Sequence, residues 1–321
     1  MSEIHKFLFE GLPVRGVLVQ LTKAWAEILR RRADNTTHGA YLPPVQNLLG
    51  EMMAAAVLMQ SNIRFDGSLI VQIFGDGPVK FAMAEVQTDF GMRATATLQM
   101  PVQMGDSFSQ MVNVNNKGRC VITLDPHNRL PSQVPYQGYQ GYQGYQGVVA
   151  LYGDASEKLE KLSDVLQHYM LQREQLDTTL VLAADDKVAA GLLIQRLPPN
   201  EAGDVTGAAC EDAIGSCEDY KRISVLASSL KREELLTLDA DTILRRLFWQ
   251  EKLLRPNPLT AQTKPHFSCS CSREKVGKML LGLGQNEVQS ILQERGDIEV
   301  GCDLCGLQYR FDAVEAAQFC Y

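Results

Sequence analysis

Four cysteines near the C-terminus are the residues of this chain whose type and spacing are best suited to chemistry. They stand in two close pairs, Cys269-Ser-Cys271 and Cys302-Asp-Leu-Cys305, with room for a small folded insert between them. Four thiolates brought together are a ligand set for tetrahedral Zn²⁺, and each pair can bind one face of the ion with little ordering cost. The spacing therefore predicts a zinc centre made of Cys269, Cys271, Cys302 and Cys305.

The same thiols also predict redox chemistry. Oxidation joins two thiols in a disulfide, and the metal then loses its thiolate ligands. The C-terminal stretch is poor in apolar residues, so we expect it to take most of its folding free energy from the metal. Spacing alone leaves three roles open: a structural zinc-ribbon binding module, a thiol–disulfide oxidoreductase that uses Cys302 and Cys305, and a switch.

The residues next to the cysteines favour some of these three roles over others but do not decide between them. A thioredoxin-like pair should open a helix, whereas a glycine and an alternating strand follow Cys305, which disfavours the oxidoreductase. His266 precedes the first pair, but four cysteines already complete a tetrahedron, so we do not expect it to bind. Three cations follow the first pair: Arg273, Lys275 and Lys278. They either offset the charge of a zinc–thiolate centre or form an ordinary solvated helix face.

The elements predicted around the cysteines form a small unit, residues 266–321. Ser272 is placed to cap one helix and Asn286 a second, which Gly296 would end. Short alternating strands are predicted on both sides of the second cysteine pair. We interpret this unit as a C-terminal zinc-binding domain.

Residues 1–197 alternate runs of strands with long helices. Asp66-Gly67 and Gly75–Pro78 are turn signals between β-rich stretches, and Pro43-Pro44 is placed to open a long helix. Strands in runs broken by helices predict an α+β fold, here an N-terminal domain with a largely antiparallel sheet and packed helices.

Residues 198–265 differ in composition from both flanks. Residues 198–218 are small and acidic, which is typical of a flexible insert. Asp219–Leu254 is dense in charges of both signs and carries apolar residues at helical spacing, with Asp239 or Asp241 placed to cap a helix. We interpret 198–265 as an insert followed by a metastable helical linker that can dock on the N-terminal domain or detach.

Four tandem Tyr-Gln-Gly triplets occupy Tyr136–Gly147. They either form an aromatic binding strip or lengthen a loop or strand edge, and the second interpretation is favoured because surface loops accept insertions cheaply. Of the remaining cysteines, Cys120 lies in an apolar stretch and is expected to be buried. Cys210 and Cys217 are expected in a passive loop, with off-pathway disulfides as the alternative, and Cys320 has no assigned role.

Composition excludes several classes of function. The formal net charge is −7 and the sequence pI about 5.4, which disfavours nucleic-acid binding. No apolar run reaches the roughly 20 residues of a membrane span, and no signal peptide is evident, so we expect a cytoplasmic protein without a membrane partner. The chain has no Walker loop for ATP and no arguable Ser–His–Asp arrangement, so we expect no enzyme activity and no catalytic residue.

Short motifs along the whole chain carry a resemblance. They are Phe7–Glu10, Val14–Gly16, Arg64–Gly67, Gly75–Pro78, Tyr145–Val149, Glu233–Thr237, Cys269–Glu274 and Cys302–Gly306. In these motifs the chain resembles the heat shock protein 33 family of redox-regulated bacterial chaperones. The cysteine motifs are highly specific and the others individually modest. The family carries one Tyr-Gln-Gly triplet where this chain has four, and the insert with Cys210 and Cys217 adds two thiols outside the family pattern.

The resemblance implies a mechanism. The reduced chain would hold one Zn²⁺ through the four cysteines and be an inactive monomer. Peroxide or hypochlorous acid, especially with heat, would form the disulfides Cys269–Cys271 and Cys302–Cys305 with release of zinc. The linker would then unfold, and the chain would dimerise and hold unfolding client proteins without ATP, as a protection against oxidative and heat stress.

Overall fold

The computed structural model of the chain describes residues 2–63, 65–127, 145–197, 217–255 and 264–320. The strands are β1 (Glu3–Phe9), β2 (Val14–Leu21), β3 (Gly67–Phe74), β4 (Val79–Gln87), β5 (Gly91–Leu98), β6 (Arg119–Pro126), β7 (Tyr145–Ala150), β8 (Thr178–Ala184), β9 (Ala189–Arg196), β10 (Leu253–Leu254), β11 (His266–Phe267), β12 (Ile298–Gly301) and β13 (Gln308–Phe311). The helices are α1 (Lys23–Ala33), α2 (Pro43–Asn62), α3 (Phe108–Val112), α4 (Leu162–Arg173), α5 (Glu218–Ser228), α6 (Arg232–Thr237), α7 (Ala240–Phe248), α8 (Arg273–Leu283), α9 (Gln285–Arg295) and α10 (Ala313–Cys320).

The strands form three sheets. A five-stranded sheet has the order β10-β1-β2-β9-β8, a six-stranded sheet has the order β11-β5-β4-β3-β6-β7, and β12 pairs with β13. Every pairing between these strands is antiparallel except that of β11 with β5. The predicted α+β class with largely antiparallel sheets is confirmed.

Helix α2 lies at the centre of the largest core, against strands of both large sheets. Two prolines start it, as predicted, and a run of Leu, Met and Ala continues it because these residues are good helix formers. It is apolar almost all round, which fits a helix buried on every side. Gly50 allows the close approach to β8, because a Cβ at this position would collide with the Cβ of Ala184.

Helices α5, α6 and α7 pack on the five-stranded sheet through a second apolar cluster. Phe248 of α7 lies against two aromatic rings of β1, with ring centroids 6.1 Å from Phe7 and 5.0 Å from Phe9. Asp239 caps α7 by accepting a hydrogen bond from the Thr242 amide. The apolar residues predicted at helical spacing therefore face the body of the protein, and the charged residues face solvent.

Helices α8, α9 and α10 surround the β12–β13 hairpin and a small apolar cluster. Ser272 caps α8, as predicted, by accepting a hydrogen bond from the Lys275 amide. The prediction that Asn286 caps α9 was wrong, because α9 begins at Gln285 and Gly284 holds the cap position with a φ of 88°. Gly296 ends α9, as predicted.

Some of the remaining cysteines and one of the four triplets lie among the described residues, and the others lie outside them. The fourth triplet begins β7, while the first three triplets, residues 136–144, lie outside the described residues, as does Cys210. Cys120 is buried in β6, and burial raises the pKa of its thiol to about 12, so it is expected to stay protonated. Cys217 is buried at the start of α5. No helix within the described part of the chain has the length and apolarity to cross a bilayer.

Candidate metal centre

Two loops bring the four cysteines together. Cys269 and Cys271 lie between β11 and α8, and Cys302 and Cys305 lie in the turn between β12 and β13. The turn is closed by two backbone hydrogen bonds of 2.8 Å, from the Cys302 amide to the Leu307 carbonyl and from the Gly306 amide to the Cys302 carbonyl. Gly306 has a φ of 76°, a conformation that favours glycine.

The four sulfur atoms fit a single metal ion. All four Sγ atoms lie within 4.8 Å of one another, with Cys269 to Cys302 at 3.9 Å and Cys271 to Cys305 at 3.5 Å. A tetrahedral zinc–thiolate centre with Zn–S bonds of about 2.3 Å separates its sulfurs by about 3.8 Å. Among the described residues this is the one such group of three or more ligand-type side chains. These two contacts join one pair to the other, so both pairs share one centre.

The electrostatics of the cluster favour a bound cation. Hydrogen bonds from the Cys302 and Cys305 thiols hold the pKa of Cys269 well below its usual range. The same bonds to Cys269 raise the pKa values of Cys302 and Cys305, since those thiols must keep the protons they donate. Cys269 therefore ionises more readily than Cys302 or Cys305. A divalent cation would allow all four thiols to ionise together.

Groups outside the ligand set also contact the sulfurs. The Tyr309 hydroxyl donates a hydrogen bond to Cys271 Sγ at 3.1 Å. Burial, and then this bond to Cys271, raises the pKa of Tyr309, so the hydroxyl keeps its proton. Arg93 of β5 places its Nη1 3.7 Å from Cys269 Sγ and pairs with the buried Glu85 at 2.7 Å. Neither contact was predicted from the sequence. Tyr309 had a detectable signal, because it alternates on a strand beside the cysteines, whereas Arg93 had none.

The three cations that follow the first cysteine pair have other partners. Arg273 donates to the Arg310 carbonyl and to Glu315, both at 2.6 Å. Lys275 donates to the Ser270 carbonyl, and Lys278 pairs with Glu274 across one helical turn. Of the two interpretations offered for these cations, the structure favours the solvated helix face. The positive charge nearest the sulfurs comes from the N-terminal part of the chain instead.

His266 stands apart from the cluster. Its Nε2 lies 3.8 Å from Asp89 Oδ2 and its Nδ1 3.0 Å from the Lys264 carbonyl oxygen. The second cysteine pair, moreover, lies in a hairpin turn and does not open a helix. The arrangement typical of a thioredoxin-like dithiol is therefore not formed at Cys302 and Cys305.

The metal centre also touches the body of the protein. The Thr95 hydroxyl of β5 donates to the Asp303 carbonyl, and Asn35 donates through Nδ2 to the Gly306 carbonyl, both at 2.7 Å. Gln308 accepts a hydrogen bond of 2.9 Å from the Thr36 amide. Two of these three contacts end on carbonyl groups of the turn that carries Cys302 and Cys305.

Comparison with known proteins gives a consistent answer over the whole chain. The family model described as "Hsp33 protein" matches residues 2–312. A 33 kDa chaperonin of Chromobacterium violaceum is 41% identical over 317 residues, which cover 99% of this chain and 93% of the relative. A 33 kDa chaperonin of Methylobacillus flagellatus is 38% identical, with 99% and 94% covered. The crystal structure of a 33 kDa chaperonin (heat shock protein 33 homologue) of Thermotoga maritima gives a TM-score of 0.69 over 100% of this chain and 98% of that one; at 17% identity, it shows a shared fold.

Proposed function

Because the chain belongs to the Hsp33 family, we propose that it is a redox-regulated chaperone that holds unfolding proteins without ATP. The family supports the chaperone function itself. The observation that carries the redox regulation is the single centre formed by Cys269, Cys271, Cys302 and Cys305. The proposal assigns no catalytic residue and no enzymatic turnover to the chain.

In the reduced, inactive state the four cysteines hold one Zn²⁺. The ion supplies the positive charge that lets four neighbouring sulfurs stay ionised, and it cross-links two loops that are distant in sequence. Tyr309 orients Cys271 through its hydrogen bond, and Arg93 adds positive charge beside Cys269. The reducing conditions of the cytoplasm, where we propose the chain acts, preserve this state.

Oxidation by peroxide removes the ligands in pairs. Two thiolates give two electrons to one hydrogen peroxide molecule, a sulfur–sulfur bond forms, and the peroxide takes up two protons and leaves as two water molecules. The proposed disulfides are Cys269–Cys271 and Cys302–Cys305. The sulfur contacts Cys269–Cys302 and Cys271–Cys305 join the pairs to each other, but those contacts exist only while both loops are folded. Cysteines adjacent in sequence remain neighbours after the loops separate.

Loss of the centre releases the elements that it orders. The C-terminal unit unfolds because its apolar core is small, and the linker follows by detaching from the five-stranded sheet. Apolar faces of α5–α7 and of the sheet then become available to unfolding clients. By the family resemblance, the oxidised chain is a homodimer and the reduced chain a monomer.

A client-aggregation assay tests this function directly. Reduced protein and peroxide-treated protein are each added to a thermally unfolding client, and zinc release is followed with a chromogenic chelator. Suppression of aggregation only after oxidation, with about one zinc released per chain, is the expected result. Equal suppression in both states would contradict the switch. Turnover of a small disulfide substrate by the reduced protein would favour the oxidoreductase instead.

Disulfide mapping tests the pairing independently of chaperone activity. Peroxide-treated protein is alkylated, digested without reductant and analysed by mass spectrometry. Single peptides that carry an internal Cys269–Cys271 or Cys302–Cys305 disulfide are expected. Links from one pair to the other would show that oxidation outpaces separation of the loops.

A further inference from the structure

Strand β5 lies next to the edge of the six-stranded sheet, and the edge strand that covers it, β11, has only two residues. On this side of β5, its strand partner among the described residues is β11, which pairs in parallel with His266 opposite Gly91 and Phe267 opposite Met92. The backbone bonds run from the His266 amide to the Phe90 carbonyl at 3.1 Å and from the Ser268 amide to the Met92 carbonyl at 3.0 Å. On its other side, β5 pairs with β4 from Met92 to Leu98.

The rest of this edge has no strand partner among the described residues. A side chain closes it at Ala96, whose amide donates to the Tyr41 hydroxyl at 2.8 Å while that hydroxyl donates to the Ala96 carbonyl at 3.1 Å. Backbone groups alternate along a strand, so Ala94 points to the same outer side as Met92 and Ala96. Beyond Ala96, the exposed Leu98 ends the strand.

The cover and the metal centre belong to one continuous segment. Cys269 follows Phe267 by two residues, and its sulfur lies beside Arg93 of the covered strand. Phe267 is held by the guanidinium of Arg31, 4.1 Å above its ring centre, and by partial burial against the core. A displacement of Cys269 therefore acts directly on the two residues that close the edge.

We propose that β11 is a removable cover and that the uncovered β5 edge binds an extended segment of an unfolding client by strand addition. This inference rests on the proposed function, since Cys269 must leave the metal centre for the cover to detach. The occupant follows from β11 itself, which shows an extended backbone donating to the Phe90 and Met92 carbonyls. Every residue except proline carries such a donor, so the site accepts unrelated sequences.

The inference also explains why the reduced chain needs a cover here. An open edge strand with free backbone groups and apolar neighbours pairs readily with other chains. A two-residue strand is enough to block the first positions, and it is weak enough to be removed with its cysteine. The long linker docked on the five-stranded sheet covers a different, apolar face, so the two surfaces would contribute separately to holding a client.

Amide hydrogen exchange tests the site in the protein as it exists. The oxidised chain is compared with and without reduced, carboxymethylated α-lactalbumin as a permanently unfolded probe. Exchange across residues 90–96 should rise on oxidation and fall again, by about tenfold, when the probe is added. Oxidised protein that suppresses aggregation with no protection of 90–96 would overturn this inference and leave the proposed function standing. Oxidised protein that neither suppresses aggregation nor shows protection of 90–96 would overturn both this inference and the proposed function.

A matched pair of glycine variants removes the cover without touching a cysteine. A Cβ at Gly91 would lie 2.8 Å from the Ser268 Cβ, so Gly91→Ala should push β11 away from β5. Gly105→Ala is the control, because no atom lies within 4 Å of its added Cβ. Reduced Gly91→Ala with one zinc still bound should exchange faster at 90–96 and bind the unfolded probe measurably. The proposal would be overturned if Gly91→Ala raises exchange at 90–96 as expected but binds the unfolded probe no more strongly than Gly105→Ala does.

Discussion

The linker helices and the C-terminal unit are held by different forces. Helices α5–α7 dock through a continuous apolar cluster that includes aromatic contacts of Phe248 with Phe7 and Phe9. The apolar cluster of the C-terminal unit has only six buried residues among its described side chains, and the unit brings four cysteine sulfurs together at one point. Burial of apolar surface is indifferent to oxidants, whereas thiolates are their direct targets. A peroxide molecule can therefore act on one region and leave the other intact at first.

The linker helices and the C-terminal unit also make different kinds of contact with the N-terminal domain. The linker meets the five-stranded sheet by packing, while the metal centre meets β5 and the residues after α1 mainly by hydrogen bonds. Asp303 and Gly306, which accept two of those bonds, lie in the turn between the ligands Cys302 and Cys305 and just after it. The shape of that turn thus links ligation to docking. Loss of the centre costs the body polar contacts first and apolar contacts only when the linker follows.

Replacing one cysteine ligand of the metal centre should have the largest effect on the difference between the linker helices and the C-terminal unit. Cys302→Ser is expected to abolish stoichiometric zinc binding, and with it up to about 10 kcal/mol of metal-linked folding free energy. The C-terminal unit and then the linker should become sensitive to protease without any oxidant, while the body resists. Cys120→Ala, a buried cysteine outside the cluster, is the control and should keep its zinc. Unchanged protease resistance of Cys302→Ser would show that linker docking does not depend on the centre.

Loosening the linker from its own side should give the next largest effect. Phe248 is 2% exposed and packs on two rings of β1, so Phe248→Ala is expected to destabilise linker docking by about 3–5 kcal/mol. The neighbouring Trp249 is 73% exposed, and Trp249→Ala should change docking little. Limited proteolysis of the reduced proteins measures the difference. Cleavage within the linker of Phe248→Ala with zinc retained is expected; joint loss of zinc would mean that the two regions unfold as one.

A titratable group at the linker contact should give a pH-dependent effect. Burial raises the pKa of Glu51 on α2 to about 7, against the opposing pull of Arg232 and Lys161. Between its ordinary value of 4.5 and about 7, the folded state keeps a proton that the unfolded state releases. The stability from this group is therefore full below about pH 4.5 and is lost as pH rises through about 7.

Glu51→Gln carries no such titration and isolates the effect. Relative to the natural chain, the variant should gain up to about 3 kcal/mol as pH rises from 5 to 8, with denaturant midpoints as the measurement. Glu233→Gln replaces an exposed carboxylate on α6, beside Arg232, and serves as the control. Stability curves of Glu51→Gln and the natural chain that stay parallel over this range would contradict the prediction.

Local rules were enough to predict much of the fold. Prolines at the start of α2, Ser272 before α8 and Gly296 after α9 act on their immediate neighbours, so their effect is visible in a short stretch of sequence. Asn286 shows the limit of such rules. Gly284, whose φ of 88° favours glycine, ends α8 and starts α9 within one residue, and this junction overrides a good capping residue two positions later.

The same distinction between local and distant residues applies to the candidate site. Cysteine spacing predicted the four sulfurs, because metal ligation demands particular residue types in close pairs. It gave no sign of Arg93 or of the Thr95 contact, since these residues come from a strand roughly 175–210 positions away in sequence and meet the cysteines only through sheet topology. The same topology places β11 on β5, a parallel pairing for which two residues carry no pattern.

The hydroxyl of Tyr309 offers the smallest and most local change to the centre. Tyr309→Phe keeps the ring in the apolar cluster and removes only the hydrogen bond to Cys271. Groups that orient metal ligands in this way typically contribute about 10- to 100-fold in metal affinity, so the variant should release zinc to a competing chelator at a correspondingly lower concentration. The fold should be unchanged, because the aromatic packing is retained. Tyr152→Phe, at an exposed tyrosine of the body, should match the natural chain. Equal zinc affinity in both variants would mean that the four sulfurs alone determine how tightly the centre binds zinc. The difference between the C-terminal unit and the linker helices would then depend on the cysteine ligands and not on the residues around them.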